Sequence, residues 1–278
     1  MQPLKVTSIQ RGCVYDGRGV RTTVFLKGCS LHCPWCCNPE TISADNEIFI
    51  DESKCLKNQG YPGRFCRSCV RCGGEQPETA CPVGVGESVA KEYAPDELYE
   101  ILIKDSELFA QTGGGVTFSG GEPLLQAEGL LPLLGKLKQG NIDIVFETTL
   151  VAPTDTLSQI LPYADGFIVD FKLQPQMKLH DMAYLRRIKE HYSLLQGKRI
   201  TNRLVFVNEL AEHREQVVSV LRELGIEQIE LLLCHNLGMK KYEKLGLAHT
   251  DCSADKKLME KFIQSLNVEK ITVSKLTI

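Results

Sequence analysis

Residues 21–37 read RTTVFLKGCSLHCPWCC, a β-branched segment that runs directly into a cysteine-rich loop. The first part, 21–29, predicts a short buried strand that ends at a glycine. The loop that follows carries four cysteines within nine positions: Cys29, Cys33, Cys36 and Cys37. A strand that delivers clustered thiols at its carboxyl end indicates a functional site at the rim of a sheet.

Strand-like and helix-like segments alternate from Pro95 to the end of the chain. Strands are predicted at 21–29, 115–123, 142–149, 166–172, 201–208 and 228–235, with a last strand in KITVS. Helices are predicted at 95–109, 124–139, 154–162, 176–195, 211–224 and 254–266. This repetition favours a parallel sheet covered by helices. Because six strand–helix units are fewer than the eight of a closed barrel, we expect an α/β fold, a partial (β/α)6 TIM-type barrel.

The composition is that of a soluble globular protein, with 43% hydrophobic and 24% charged residues in 278 and a net charge of −3. There is no basic stripe for nucleic acid, no apolar run long enough for a membrane span and no signal-peptide pattern at the amino terminus. Nine of the twelve cysteines lie between Cys29 and Cys81. In a reducing cytoplasm, where we expect this protein, such clustering indicates metal ligands.

Residues 45–88 differ from the rest because they are rich in Cys, Gly and Pro and show little hydrophobic periodicity. A segment that cannot build its own core often folds around a metal. We therefore predict an inserted module at 45–88, within a barrel formed by 1–44 and 89–278.

The first cysteine set has the spacing C-x3-C-x2-C at Cys29, Cys33 and Cys36. Three thiolates can hold three irons of a cubane cluster and leave the fourth iron for another ligand, whereas structural zinc usually takes paired C-x2-C knuckles. Cys37 is treated as a bystander, because adjacent residues rarely both point at one cluster.

With Trp35 as the aromatic residue before the last cysteine, this loop resembles the signature of the radical S-adenosylmethionine (SAM) superfamily. The segment GVTFSGGEPLLQ at 115–126 resembles the superfamily's motif for the methionine end of SAM. The resemblance implies a [4Fe–4S] cluster on Cys29, Cys33 and Cys36, and SAM bound at its open iron. The implied SAM-site residues are Trp35, Asn38, Ser119, Gly120, Gly121, Glu122, Glu147, Asp170, Lys172, Arg203 and His235.

Within the superfamily, YDGRGVRTTVFLKGC and the following CCNPE resemble the activating enzymes of glycyl radical enzymes. The chain departs from their pattern at three points: Arg18 replaces a proline, Cys37 replaces His or Gln, and the usual Y-T-G segment after 170–172 is absent. In some members strand-end acids bind a monovalent cation, for which Asp16, Glu147 and Asp170 are the candidates here. Ordinary strand-end solvation is the alternative for these acids.

The second cysteine set comprises Cys55, Cys66, Cys69, Cys72 and Cys81. C-x2-C-x2-C followed by C-P resembles a ferredoxin module, although eight residues separate Cys72 from Cys81 and ten separate Cys55 from Cys66. A second [4Fe–4S] cluster is expected, with zinc as the alternative. Because five cysteines compete for four ligand places, one of them is spare, and either end of the set can supply it.

The family resemblance implies that the chain abstracts a hydrogen atom from a glycine of a partner glycyl radical enzyme under anaerobic conditions. It also implies flavodoxin or ferredoxin as electron donor. Two alternatives stay open: radical chemistry on a small molecule or peptide, and a non-catalytic iron–sulfur electron carrier.

Overall fold

The computed structural model describes residues 2–60, 69–174 and 182–276. The strands in these ranges are β1 Leu4–Cys13, β2 Arg21–Leu26, β3 Ile48–Ile50, β4 Gly86–Ser88, β5 Lys91–Tyr93, β6 Gly115–Gly120, β7 Asp143–Thr148, β8 Gly166–Phe171, β9 Arg199–Phe206, β10 Gln228–Leu233 and β11 Thr272–Leu276. Nine of them form one sheet in the order β11-β10-β9-β8-β7-β6-β2-β1-β5. β3 and β4 form a separate two-stranded ribbon.

The helices in the described ranges are α1 Pro95–Leu102, α2 Ser106–Thr112, α3 Ala127–Gln139, α4 Thr154–Ile160, α5 Met182–Leu194, α6 Arg214–Glu223, α7 Met239–Leu245 and α8 Lys256–Val268. None of these helices is long and apolar enough to cross a lipid bilayer. The first part of the helix predicted at 176–195 lies outside the described residues.

The sheet confirms the predicted fold class. β2 and β6 to β11 run parallel, and each step from one parallel strand to the next crosses through at least one helix. These six strand–helix units form a partial (β/α)6 barrel, which in the described residues ends at β11 on one side. On the other side β1 and β5 extend the sheet with antiparallel pairing.

The fold differs from the prediction in several elements, among them α7 and the β3–β4 ribbon, which were not predicted. β1 and β5 were not predicted. Only the first residues of β1 alternate between buried and half-buried, so the hydrophobic alternation is too short to indicate a strand. The helix predicted at 95–109 is broken by a 3-10 turn at Ile103–Asp105. There the Asp105 carboxylate accepts hydrogen bonds from Thr22 Oγ1 at 2.6 Å and Arg11 Nε at 2.8 Å, which tie the turn to the sheet.

Alternation along the strands separates an apolar layer from a polar one. Phe118, Phe146 and Phe167 are buried side by side in the main core, with ring centroids 5.3 and 6.1 Å apart. Successive side chains of a strand point to opposite faces, so the next residues, Ser119 and Glu147, face the barrel interior, where they meet. The strand pattern therefore directs the polar strand-end residues into one interior pocket.

A buried arginine links the strands at the end of the barrel opposite the cysteine loop. Arg21 is fully buried and donates to Thr117 Oγ1 at 2.6 Å, Val116 O at 2.7 Å and Asp143 Oδ1 at 2.9 Å. Burial lowers the pKa of Arg21, and Asp143 opposes this shift. One side chain thus connects β2, β6 and β7.

We predict that Arg21→Met lowers the free energy of unfolding by about 3 kcal/mol, because it leaves buried acceptors without a donor. An anaerobic thermal melt measures the loss. Arg11→Met is the matched control, since Arg11 is half exposed and its ion pair with Asp105 contributes little. Equal melting temperatures for the two variants would contradict the role assigned to Arg21.

Candidate functional site

The first cysteine loop leaves β2 and closes on itself through its backbone. Gly28 N donates to Thr41 O at 2.7 Å, and Cys29 N donates to Ile42 O at 2.8 Å. Between these closing bonds, Cys36 N donates to Cys33 O at 3.0 Å. The loop is therefore held at its base before any metal is considered.

The loop forms one wall of an interior pocket of about 310 Å³. The predicted site residues that line it are Cys29, Cys33, Trp35, Cys36, Asn38, Ser119, Gly120, Gly121, Glu147, Asp170, Lys172, Arg203 and His235. Asp16 and Cys37 line the same pocket. Of the predicted SAM-site residues, only Glu122 does not line it.

Burial makes the three thiols poor anions on their own. It raises the pKa of Cys29 to about 11 and that of Cys36 to about 12, and it raises the pKa of Cys33 as well. A buried thiol loses its proton readily only when a cation compensates the new charge. These three side chains therefore suit a metal centre better than free thiol chemistry.

Two glycines at the end of β6 press directly against the base of the cysteine loop. Gly120 has φ +104°, and a Cβ at Gly121 would lie 2.2 Å from Gly28 O. Gly121 N donates to Leu26 O at 2.8 Å, and Glu122 N donates to Gly28 O at 2.8 Å. No side chain fits at Gly121, so the double glycine is required by backbone contact as well as by any ligand.

Glu122 is buried behind the pocket wall. Its Oε1 accepts from Thr148 Oγ1 at 2.7 Å, and its Oε2 accepts from Thr149 N at 2.9 Å and Thr149 Oγ1 at 2.8 Å. Burial raises the pKa of Glu122, while these hydrogen bonds act in the opposite direction. The side chain joins the end of β6 to the end of β7 and so shapes the pocket from outside.

An ion-pair network lies along the strands that face the pocket. Arg203 Nη1 donates to Glu147 Oε1 at 2.6 Å, and Arg203 Nη2 donates to Glu230 Oε2 at 3.0 Å and to Tyr15 O at 2.7 Å. Ser119 Oγ donates to the other oxygen of Glu147 at 2.6 Å. Burial opposes the charge of Arg203, but Glu147 and Glu230 outweigh it and raise its pKa.

A second pair stands nearer the thiols. Lys172 Nζ donates to Asp170 Oδ2 at 2.5 Å, whereas Asp170 Oδ1 is buried with no hydrogen-bond partner among the described residues. Burial opposes the ammonium, but Asp170 and the Cys33 sulfur raise the pKa of Lys172 overall. Lys172 is thus a fixed positive charge facing the cysteine loop.

The loop around Asp16 closes the pocket from below. Asp16 Oδ2 accepts from Thr23 Oγ1 at 2.5 Å, and Arg203 holds the neighbouring Tyr15 carbonyl. Gly19 has φ +71°, and a Cβ there would lie 2.4 Å from Gly114 N. The Arg18 carbonyl accepts a hydrogen bond from Arg21 Nη1 at 3.1 Å.

Several site residues were not found from the sequence. α7 brings Lys241 to Asn38 Oδ1 at 2.7 Å, and it brings the Tyr242 hydroxyl to Cys36 O at 3.0 Å. Among residues 231–246, the sequence resemblance implies a role for His235 only. Thr148 and Glu230 were also missed, because a threonine at the end of β7 and a glutamate inside β10 carry no distinctive signal alone.

Four cysteines of the second set surround a smaller pocket. These are Cys55, Cys69, Cys72 and Cys81, which share it with Glu78. Cys72 N donates to Cys69 O at 2.9 Å, and each of Cys55 and Cys81 follows directly after a short 3-10 helix. Cys66 lies outside the described residues.

The ribbon of β3 and β4 joins the two ends of this cysteine-rich segment, with Ile48 opposite Ser88 and Ile50 opposite Gly86. In the ranges that the structure describes, no three His, Cys, Asp or Glu side chains stand close enough to share one metal ion. The thiols of both sets thus line pockets without converging on one point.

Comparison with known proteins connects this site to a family. A model described as a 4Fe-4S single cluster domain matches residues 15–189. The pyruvate formate-lyase 2-activating enzyme of Escherichia coli K12 is 34% identical, over 87% of this chain and 81% of its own length. The 4-hydroxyphenylacetate decarboxylase activating enzyme of Clostridioides difficile CD196 is 31% identical, over 87% and 85%.

Among solved structures, a domain of a pyruvate-formate lyase-activating enzyme from Bacteroides vulgatus superposes with a TM-score of 0.46 at 22% identity. It covers 59% of this chain and 100% of that domain.

We predict that Glu122→Gln lowers the free energy of unfolding by about 1–3 kcal/mol, because an amide nitrogen cannot accept the hydrogen bonds that the carboxylate receives. An anaerobic thermal melt reports the change. Glu128→Gln, on the exposed side of α3, is the matched control and should melt like the parent protein. A parent-like melt for Glu122→Gln would contradict the bridging role.

Proposed function

The chain belongs to the radical SAM enzymes that activate glycyl radical enzymes, and we propose that its interior pocket binds SAM and receives the glycine loop of such a client. A bound [4Fe–4S] cluster would supply one electron to SAM, so that the C5′–S bond breaks into methionine and a 5′-deoxyadenosyl radical, which would take a hydrogen atom from the client's glycine. The observation that carries the proposal is the pocket itself, in which the three thiols, the double glycine and the strand-end charges face one another.

Cys29, Cys33 and Cys36 are the proposed ligands of the reactive cluster. The donor set fits, since three thiols on one closed loop serve three irons and leave the fourth for SAM. Lys172 faces the same loop and balances its negative charge. Cys37 remains outside this ligand set.

The proposed contact of the methionine end of SAM is the backbone at Gly120 and Gly121. Lys172 is the proposed direct partner of the SAM carboxylate. An ammonium carries three donors, and Asp170 takes one of them. Arg203 is instead committed to Glu147, Glu230 and the Tyr15 carbonyl, so its proposed role is to hold Glu147 and the loop below.

Trp35, Asn38 and His235 complete the proposed SAM site. Trp35 is packed into the core with its indole N–H buried, and no described residue accepts a hydrogen bond from it. His235 follows β10, and its ring accepts a hydrogen bond from Leu237 N at 3.3 Å; its proposed role is to contact the nucleoside of SAM. Ser119 and Glu122 act through Glu147 and the strand ends rather than by direct contact.

Residues 45–88 are proposed as an inserted module that holds a second [4Fe–4S] cluster on Cys55, Cys69, Cys72 and Cys81. Their common pocket supplies the four thiols that a cubane requires. The β3–β4 ribbon at the base of the segment supports these boundaries. A flavodoxin or ferredoxin is the proposed electron donor, in an anaerobic and reducing cytoplasm.

We predict that Cys33→Ala abolishes SAM cleavage, because the reactive cluster loses one of its three protein ligands. Anaerobic reconstitution followed by iron, sulfide and 5′-deoxyadenosine assays tests this with dithionite as reductant. Cys13→Ala is the matched control and should cleave SAM like the parent protein. Full cleavage by Cys33→Ala would refute the ligand assignment, and no cleavage by the loaded parent protein would refute the proposed function.

We predict that Cys55→Ala removes about four irons per chain while the SAM-binding cluster persists. Cys66→Ala is the paired variant, because five cysteines compete for the four ligand places of one cubane. Loss of iron in Cys66→Ala with none in Cys55→Ala would reverse the assignment. If the reconstituted parent protein binds zinc in place of the second set of irons, the second cysteine set holds a structural zinc ion and not a cluster.

A further inference from the structure

The short helix α7 contacts both cysteine-bearing segments of the chain. On one side it touches the turn that follows the first cysteine loop. There Lys241 Nζ bonds Asn38 Oδ1 at 2.7 Å and Glu40 Oε1 at 2.6 Å, and the Tyr242 hydroxyl donates to Cys36 O at 3.0 Å. α7 thus holds the loop at the carbonyl of a proposed cluster ligand and at two residues just beyond it.

The approach of α7 is also enforced by backbone contact. A Cβ at Gly238, immediately before the helix, would lie 2.9 Å from Cys37 Cα. Gly238 also accepts the first hydrogen bonds of the helix, from Lys241 N at 2.8 Å and Tyr242 N at 3.3 Å. The start of α7 therefore packs against the cysteine loop too closely for a side chain at Gly238.

The other side of α7 meets the inserted segment. Lys244 Nζ lies 3.7 Å from Asp51 Oδ2, directly after β3. Asp51 in turn accepts from Ser53 N at 3.2 Å and begins the 3-10 turn that ends at Cys55. A continuous set of contacts thus runs from Cys36 through α7 to the entrance of the second cysteine pocket.

Lys241 is the charged centre of this arrangement. Glu40 is buried, and its Oε2 has no hydrogen-bond partner among the described residues. Among the same residues, the cation that lies within 4.0 Å of the Glu40 carboxylate is the Lys241 ammonium. Lys27 contacts the Glu40 carbonyl instead, at 2.8 Å. Removing the Lys241 ammonium would leave a buried carboxylate unpaired beside the SAM pocket, and the loop would have to move to solvate it.

We propose that Lys241 is a positioning residue for SAM cleavage, which through Asn38 and Glu40 holds the cysteine loop in the geometry that the bound SAM requires. The proposal rests on the proposed function of this pocket. Small displacements of a reacting group lower rates strongly, so a loop that shifts by a fraction of an ångström weakens SAM binding and slows its cleavage.

The test compares Lys241→Met with Lys240→Met, its exposed neighbour on α7, and with the charge-retaining Lys241→Arg. Lys241→Met should keep the parent's iron and sulfide content, raise KM for SAM at least about tenfold, and alter the electron paramagnetic resonance change that SAM causes in the reduced cluster. Lys241→Arg should recover part of both effects, and Lys240→Met should match the parent protein.

Hydrogen–deuterium exchange of 29–42 in the cluster-loaded protein without SAM gives a readout that does not depend on SAM chemistry. Faster exchange there in Lys241→Met, with α3 unchanged, supports the proposal. Parent-like exchange together with a parent-like KM overturns it. A parent protein that cleaves no SAM refutes the proposed function. The exchange result then still decides whether Lys241 holds the cysteine loop in place.

Tyr242→Phe keeps the proposal falsifiable should Lys241→Met fail to fold or to load iron. This variant removes only the hydroxyl that bonds Cys36 O. It should shift KM for SAM and the exchange of 29–42 in the same direction by a smaller factor. An unchanged KM and unchanged exchange in Tyr242→Phe would overturn the proposal that α7 positions the cysteine loop.

Discussion

The contact between Gly121 and the base of the cysteine loop is the constraint on which the rest of the site depends. With 2.2 Å between a hypothetical Cβ and Gly28 O, the end of β6 and the start of the loop can approach only as bare backbone. Hydrogen bonds from Gly121 N and Glu122 N then fix that approach. Because the loop carries the thiols, its position relative to the parallel sheet is set before any cofactor binds.

Around this contact, charge is arranged in two layers. Glu122 and Arg203 are fully engaged within the protein and connect strand ends to one another. Lys172 stands closer to the thiols and keeps donors for a ligand. Hydrogen bonds hold these groups in place: threonine hydroxyls and a backbone N–H bind Glu122, two carboxylates bind Arg203, and one binds Lys172.

The sequence predicted the barrel well because its parallel strands are buried on both faces and read as short apolar runs between helices. It also predicted which residues share the pocket, since strand-end polar residues meet at one rim. β1 was missed because its burial pattern is weak. Glu122 was expected to line the pocket but lies behind its wall, because tertiary packing, which the sequence pattern does not show, sets its position. α7 was missed because its seven residues bind through tertiary contacts to Cys36 and Asn38, which no local pattern encodes.

Transfer of one hydrogen atom from a client glycine to 5′-deoxyadenosine would distinguish an activating enzyme from the alternatives. The loaded enzyme would be incubated anaerobically with SAM, a reductant and the glycyl radical enzyme of its own host cell, labelled with deuterium at glycine Cα. We expect 5′-deoxyadenosine to acquire deuterium while a glycyl radical signal appears on the client. Unlabelled 5′-deoxyadenosine without a client radical would contradict it and direct attention to a small-molecule or peptide substrate.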